Sequence, residues 1–174
     1  VSGASAARRA GSAALVRARR TTETDLAFVL AAESHPENAP WVKQWTRTEH
    51  AWAVSDPTMA HWVLESRGTG AAVGFVILAG LSKETPEVEL KRLVVLEKGR
   101  GFGRAAVGLV KRYAFEELGA ARLWLDVYEH NERARALYHA QGFRTEGVVR
   151  DHAEVDGRRV SLHILSILAG EYQP

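Results

Sequence analysis

Apolar positions along this chain follow two rhythms, one of period two and one near a helical turn, and the chain switches between them repeatedly. Residues 15–21 alternate apolar side chains with arginines, the pattern of a half-buried strand. Thr21, Thr22, Glu23 and Asp25 then offer caps and early acids ahead of Leu26, Phe28, Val29, Leu30 and Ala32, which predicts a helix ended by His35-Pro36. Trp41, Val42, Trp45 and Trp52 recur at helical spacings and predict a second helical stretch closing near Asp56-Pro57. Residues 61–65 and 72–81 read as strands joined through Arg67-Gly68-Thr69-Gly70, the turn chemistry of an antiparallel hairpin.

A third strand-like run, 88–96, leads into closely spaced glycines. The helix behind them carries Ala106, Leu109, Val110, Tyr113 and Ala114 on one face, with Lys111, Arg112, Glu116 and Glu117 largely opposite and Gly119 placed to end it. Residues 123–128 predict another strand, and Asn131 caps a shorter helix bearing Ala134, Leu137 and Tyr138 up to Gly142. The last two strands flank Asp156-Gly157, a two-residue hairpin signal. The order describes one α/β domain without internal repeats.

Composition narrows the class. At 174 residues, 46% hydrophobic and 25% charged, the chain has enough apolar surface for one real core and too much for disorder. No apolar run approaches the roughly 18 residues of a membrane span, so no membrane partner is expected. Residues 1–13, rich in small side chains and arginine, are expected to form a tail outside a domain of residues 14–174. The net charge is +2 with both signs interspersed, which is not the concentrated basic face of a nucleic-acid binder. The chain has no cysteine, which removes disulfides and a thiol nucleophile and fits a reducing, cytoplasmic setting. The histidines lack a ligand spacing with acids, so no metal is expected.

The chemistry concentrates in Glu97-Lys98-Gly99-Arg100-Gly101-Phe102-Gly103-Arg104-Ala105, between a strand and a helix start. Glycines let successive N–H groups converge and a ligand approach closely, and the helix start adds unpaired N–H groups at the positive end of its dipole. Such a turn suits phosphate or pyrophosphate, with Arg100 and Arg104 as charged supplements. It equally describes a plain tight turn. The P-loop is excluded because no Gly-Lys-Ser/Thr closes the motif, and counting from Gly99 the third glycine of a dinucleotide fingerprint falls on Arg104.

Arg100-Gly101-Phe102-Gly103-Arg104-Ala105 resembles the Arg/Gln-x-x-Gly-x-Gly/Ala acyl-CoA signature of the Gcn5-related N-acetyltransferases, with Arg100, Gly103 and Ala105 at the required positions. Asn131 to Tyr138, followed by Gly142-Phe143, is similar to that family's asparagine–arginine–tyrosine helix and its exit, and the element order agrees. The resemblance implies a single domain with a mixed, mostly antiparallel sheet, flanking helices and a splayed central strand pair. It implies acetyl-CoA as co-substrate, its pantetheine arm along Leu93, Val94 and Val95 and its pyrophosphate over Gly101 to Ala105, Phe102 included. Asn131 would contact the cofactor and also cap its helix. Residues 144–151 resemble the branch containing ribosomal-protein and diamine acetyltransferases.

Acetyl transfer to an amine needs a proton acceptor and a donor for the departing thiolate. Tyr138 matches the family's donor, although a core tyrosine would look the same. Glu89 precedes the signature on the strand and is the expected base, on the alternating face of Lys91, Leu93 and Val95; an ion pair with Lys91 is the alternative. Glu33, Glu37 and Trp41 lie where relatives build an acceptor pocket and would suit a cationic amine, while the tryptophans equally suit a helix core. The expected function is direct transfer of acetyl to a primary amine of a small molecule or protein N-terminus. The rival is a non-catalytic acyl-CoA sensor. A homodimer stays open.

Overall fold

The computed structural model describes residues 15–82, 87–155 and 157–174. The expected tail, 1–13, and Asp156 of the hairpin signal lie outside the described residues. The strands are β1 (Val16–Arg20), β2 (Ala60–Ser66), β3 (Ala72–Ala79), β4 (Glu87–Val95), β5 (Arg122–Tyr128), β6 (Arg144–Val155) and β7 (Arg158–Leu168). The helices are α1 (Leu26–Ser34), α2 (Arg47–Ser55), α3 (Phe102–Arg112), extended by a π turn, and α4 (Glu132–Ala140). One sheet of seven strands runs in the order β1-β2-β3-β4-β5-β7-β6. Among the described residues, no helix is long and apolar enough to cross a membrane.

The second predicted helix is shorter than its tryptophan spacing suggested. Trp41 ends a short turn of 3-10 helix (Ala39–Trp41), and Val42 to Trp45 are extended or irregular. The helix begins only at Arg47, where Thr46 accepts from the Glu49 amide and the Glu49 carboxylate accepts from the Thr46 amide. That capping box outweighs the spacing.

Two cores lie on opposite faces of the sheet. Ala105, Ala106, Val110 and Ala114 of the α3 segment pack with Leu123, Leu125 and Val127 of β5 and with Tyr138 of α4. Val29 and Ala32 of α1 and Ala53 of α2 pack on the other face with Phe75, Ile77 and Val94.

The centre of the sheet is where the fold departs from regularity. Every neighbouring pair is antiparallel except β4 and β5, which run parallel and pair only from Glu87 opposite Arg122 to Glu89 opposite Trp124. Just beyond, Leu90 pairs with Leu78 but Arg92 pairs with Ile77, so β4 carries one extra residue, Lys91. A bulge of this kind bends its strand and reverses the side-chain alternation after it. Val88 and Leu90 face the α3–α4 core, and after the bulge so do Leu93 and Val95, while Val94 faces α1 and α2. Glu89 pairs with Ala79, which packs on the α1–α2 side. The expectation that Glu89 shares a face with Leu93 and Val95 therefore fails, because strict alternation cannot register an inserted residue.

β3 is held against the bulged strand by a missing side chain. A Cβ on Gly74 would lie 2.1 Å from the Val94 carbonyl oxygen. Gly74→Ala should destabilise the chain by about 1–3 kcal/mol through overpacking. Urea unfolding checks this, and an unchanged midpoint would contradict the close approach.

Candidate active site

Where β4 and β5 part, a cavity of about 730 Å³ opens between them. It reaches from the glycine turn, at Gly99, Gly101, Gly103 and Arg104, past Leu93, Val94, Val95, Asn131 and Tyr138, to Trp41, Trp45, Glu89, Asp126 and Tyr128. The geometry thus gathers both motifs and one of the expected carboxylates around a single space.

At the turn end, Gly99 and Gly101 hold φ of 75° and 82°, the left-handed region that favours glycine. Gly101 caps α3 without any side-chain hydrogen bond, leaving the first N–H groups of that helix for a ligand. The positions of the signature differ from the expected ones. Arg100 is exposed, pairs with Glu97 at 2.9 Å and does not line the cavity, and Ala105 is buried in the helix core. The same spacing two residues earlier, Lys98-x-x-Gly101-x-Gly103, fits the geometry, with lysine where the family pattern has arginine or glutamine. Lys98 lines the cavity and donates to Asn38 Oδ1 and to the Val95 carbonyl. Burial and then the nearby Arg133 charge push its ammonium down to about 8, against the opposing pull of Glu37. The spacing of the motif allowed this register; only the direction of the side chains distinguishes the two.

Asn131 does both things expected of its type. Its Oδ1 accepts from the Ala134 amide at 3.2 Å as a helix cap, and the residue also lines the cavity. Tyr138, on the inner face of α4, is 8% exposed and its ring packs on Phe143 at 5.7 Å. Burial first, and then the Asp126 charge, push its phenol well above the usual range, so it is a protonated donor at neutral pH.

Two carboxylates face the opposite side of the gap. Glu89 lies 3.4 Å from the Lys91 ammonium. Asp126, missed in the sequence, alternates with the core residues Leu125 and Val127, which turns it toward the α1–α2 side. The surrounding protein raises its carboxyl, against the opposing charges of Lys91, His152 and Arg92. An acid inside an otherwise apolar strand was the signal that could have found it. Trp41 and Tyr128 close this end, each with its ring on His130, at 5.3 Å and 5.7 Å.

Glu33 and Glu37 do not line the cavity, so the expected acceptor trio reduces to Trp41. Glu37 is exposed, and Glu33 is 1% exposed inside a polar chain. Its carboxylate accepts from Arg92, from the Trp45 amide at 2.8 Å and from His50 Nε2 at 3.3 Å. Burial alone would raise this carboxyl, but the bonds from His50 and Trp45 and the Arg92 charge together hold it below the usual value. Since a carboxylate only accepts, His50 donates from Nε2 and with both rings neutral accepts at Nδ1 from His61 Nε2, 3.1 Å away. His61 Nδ1 then accepts from the Thr21 hydroxyl at 2.9 Å.

A family model for the acetyltransferase (GNAT) family matches residues 26–143, more than half of the chain. The chain belongs to the GNAT family. Among curated relatives, an uncharacterized N-acetyltransferase of Bacillus subtilis, YoaA, is 28% identical over 62% of this chain and 61% of its own length. Another from Mycobacterium tuberculosis, Rv2669, is 35% identical over 54% of this chain and 58% of its own. The chain thus matches about three fifths of the length of these relatives. A solved spermidine N-acetyltransferase from Vibrio cholerae, in complex with CoA and spermine, superposes with a TM-score of 0.81 at 20% identity, covering 90% of this chain and 97% of that one. At that identity the likeness is one of fold, and the mixed sheet is the GNAT sheet.

The histidine chain of this GNAT domain has a consequence for stability. Burial, and then repulsion from His50 and Arg92, push His61 down to about 4. An unfolded histidine titrates near 6.5, so between those values the unfolded chain binds a proton that the folded chain refuses. The folded state is therefore most favoured above pH 6.5 and loses up to about 3 kcal/mol as pH falls through the window to 4. Chemical unfolding from pH 7 to 4 should show this slope, and His61→Gln should flatten it.

Proposed function

We propose that the chain is an N-acetyltransferase that moves acetyl from acetyl-CoA to a primary amine by direct attack. The observation that carries this reading is a single cavity joining a phosphate cradle, a buried protonated tyrosine and two carboxylates across the parted strands. The cradle fits acetyl-CoA: left-handed glycines, an uncapped helix start, and Lys98, Arg104 and Arg133 around it supply donors and positive charge for a pyrophosphate. The strand edge at Leu93, Val94 and Val95 faces the gap, where its backbone would bond the pantetheine arm.

The amine arrives from the α1–α2 side, where Trp41, Trp45 and Tyr128 offer ring faces to a cation. Glu89 anchors the ammonium, and Asp126 takes the proton, since it forms no hydrogen bond or ion pair among the described residues and its carboxyl is already raised. The freed nitrogen forms its bond to the acetyl carbon as the bond from that carbon to sulfur breaks, and the second proton the nitrogen sheds in becoming an amide passes to solvent, from which the sulfur's donor is replenished. Tyr138, on the other face of the gap, gives its proton to the departing sulfur. The base first expected from sequence, Glu89, keeps a place beside the reacting amine rather than the proton itself.

The acceptor end holds Lys43 and Lys91 as well as Glu89 and Asp126, so it is not a purely acidic groove. This charge mixture favours a single primary amine over a polycation. Here the reading parts from the polyamine bound by the structural neighbour.

Two sets of variants test the site. Lys98→Ala should weaken acetyl-CoA binding about tenfold, the loss of one charge-assisted bond, while Arg100→Ala leaves it within about twofold. Calorimetry decides between them, and the reverse order would restore the first register of the signature. Tyr138→Phe and Asp126→Asn should each lower kcat by about a hundredfold with acetyl-CoA affinity retained. Turnover at wild-type rate in both would remove these two groups from the chemistry and leave the tyrosine a packing residue.

A further inference from the structure

The polar chain behind the acceptor wall takes no part in the steps above, yet its bonds converge on one segment. Residues 42–46 connect the short turn at Trp41 to α2, and those before the cap residue Thr46 lie in no helix or strand. Val42, Lys43 and Trp45 nevertheless line the cavity. Three consecutive residues are tied to the same buried pair. The Lys43 carbonyl accepts from Arg92 Nη1 at 2.8 Å, and Gln44 Nε2 donates to the Glu33 carbonyl at 3.3 Å. The Trp45 amide donates to the Glu33 carboxylate at 2.8 Å, while the Arg92 guanidinium lies 4.3 Å over the Trp45 ring.

Arg92 reaches this position because the β4 bulge turns it toward α1. Glu33 meets it there, and each charge is buried only because the other is present. The histidines fix the carboxylate from behind. His50 is fully buried and directs its Nε2–H at Glu33, a direction set by the carboxylate, which only accepts, and continued through His61 to Thr21.

We propose that Glu33 is a positioning residue for the acceptor. Acting through Arg92 and the Trp45 amide, it holds 42–46 as the wall that the amine meets, and so sets affinity for the amine without touching it. This rests on the acetyltransferase reading of the cavity. It replaces the sequence expectation that Glu33 binds the substrate directly.

Hydrogen exchange on the full chain, followed residue by residue, tests the proposal without needing the acceptor. Glu33→Gln keeps the shape and removes the charge that holds Arg92. The amides of 43–46 should exchange about tenfold faster, while those of Phe75, Val76 and Ile77 in the core of β3 stay close to wild type. A uniform change, or none, would overturn the assignment. Should the single variant not fold, Glu33→Gln with Arg92→Gln leaves no lone buried charge and should show the same selective release; wild-type exchange at 43–46 in it would also overturn the assignment.

Kinetics supply the second readout, with spermidine, benzylamine and an alanine-initiated tetrapeptide as trial acceptors. Glu33→Gln should raise the KM of whichever amine turns over by about tenfold, with acetyl-CoA affinity unchanged. A variant that lost only folded protein would lower apparent kcat and leave KM alone. A wild-type chain inert with all three amines would count against the function proposed above, while the exchange result still decides the role of Glu33.

Discussion

β4 and β5 pair over three residues and then part, and the rest of the molecule is arranged around that parting. Backbone N–H and C=O groups on facing strand edges need partners, so two strands that separate inside a sheet leave an unmet demand along their inner edges. The bulge at Lys91 turns β4 away from its neighbour, and β5 remains fully paired with β7 on its other side. The opening is a slot with polar backbone on one wall and α-helical side chains above and below it. An extended chain with amide groups of its own is the natural occupant of such a slot.

The same bulge separates the chemical roles by face. Before it, β4 sends Val88 and Leu90 to the α3–α4 core; after it, Leu93 and Val95 take that direction and Arg92 turns to the other side. Tyr138 comes from α4, whereas Glu89 and Asp126 come from the face covered by α1 and α2. The donor and acceptor proposed for the transfer thus come from opposite faces of the sheet. The tyrosine's dry surroundings keep it protonated, and the two carboxylates stand across the gap from it.

Charge burial has a second function away from the slot. Glu33, Arg92, His50 and His61 sit at depths where an isolated charge would be strongly unfavourable, and each is satisfied by the next. The arrangement joins α1, α2, β2 and β4 and grips the irregular segment 42–46. The carbonyl of Lys43, the amide of Trp45 and one face of the Trp45 ring all meet that ion pair.

The strands, the amphipathic α3 and the cap at Asn131 were legible from periodicity and local hydrogen-bonding chemistry, since these depend on neighbours in sequence. The glycine turn was legible for the same reason, and Tyr138 through its match to the family's helix. Three features were not. The register of the turn, with Lys98 facing inward and Arg100 outward, depends on where backbone angles send each side chain. The face of Glu89 depends on one residue inserted into a ladder, which only the pairing with β3 reveals. Glu33 looked like an acceptor ligand because carboxylates near a pocket are ordinarily exposed, and its burial follows from Arg92 arriving from a strand 59 residues away. By itself the sequence determined the elements, because short-range sterics and hydrogen bonds encode them, and it carried the family pattern and most of the polar groups from which a site could be drawn. The tertiary structure alone decided which of those groups share a cavity and which disappear into an ion pair, because burial and charge compensation are set by contacts between distant segments.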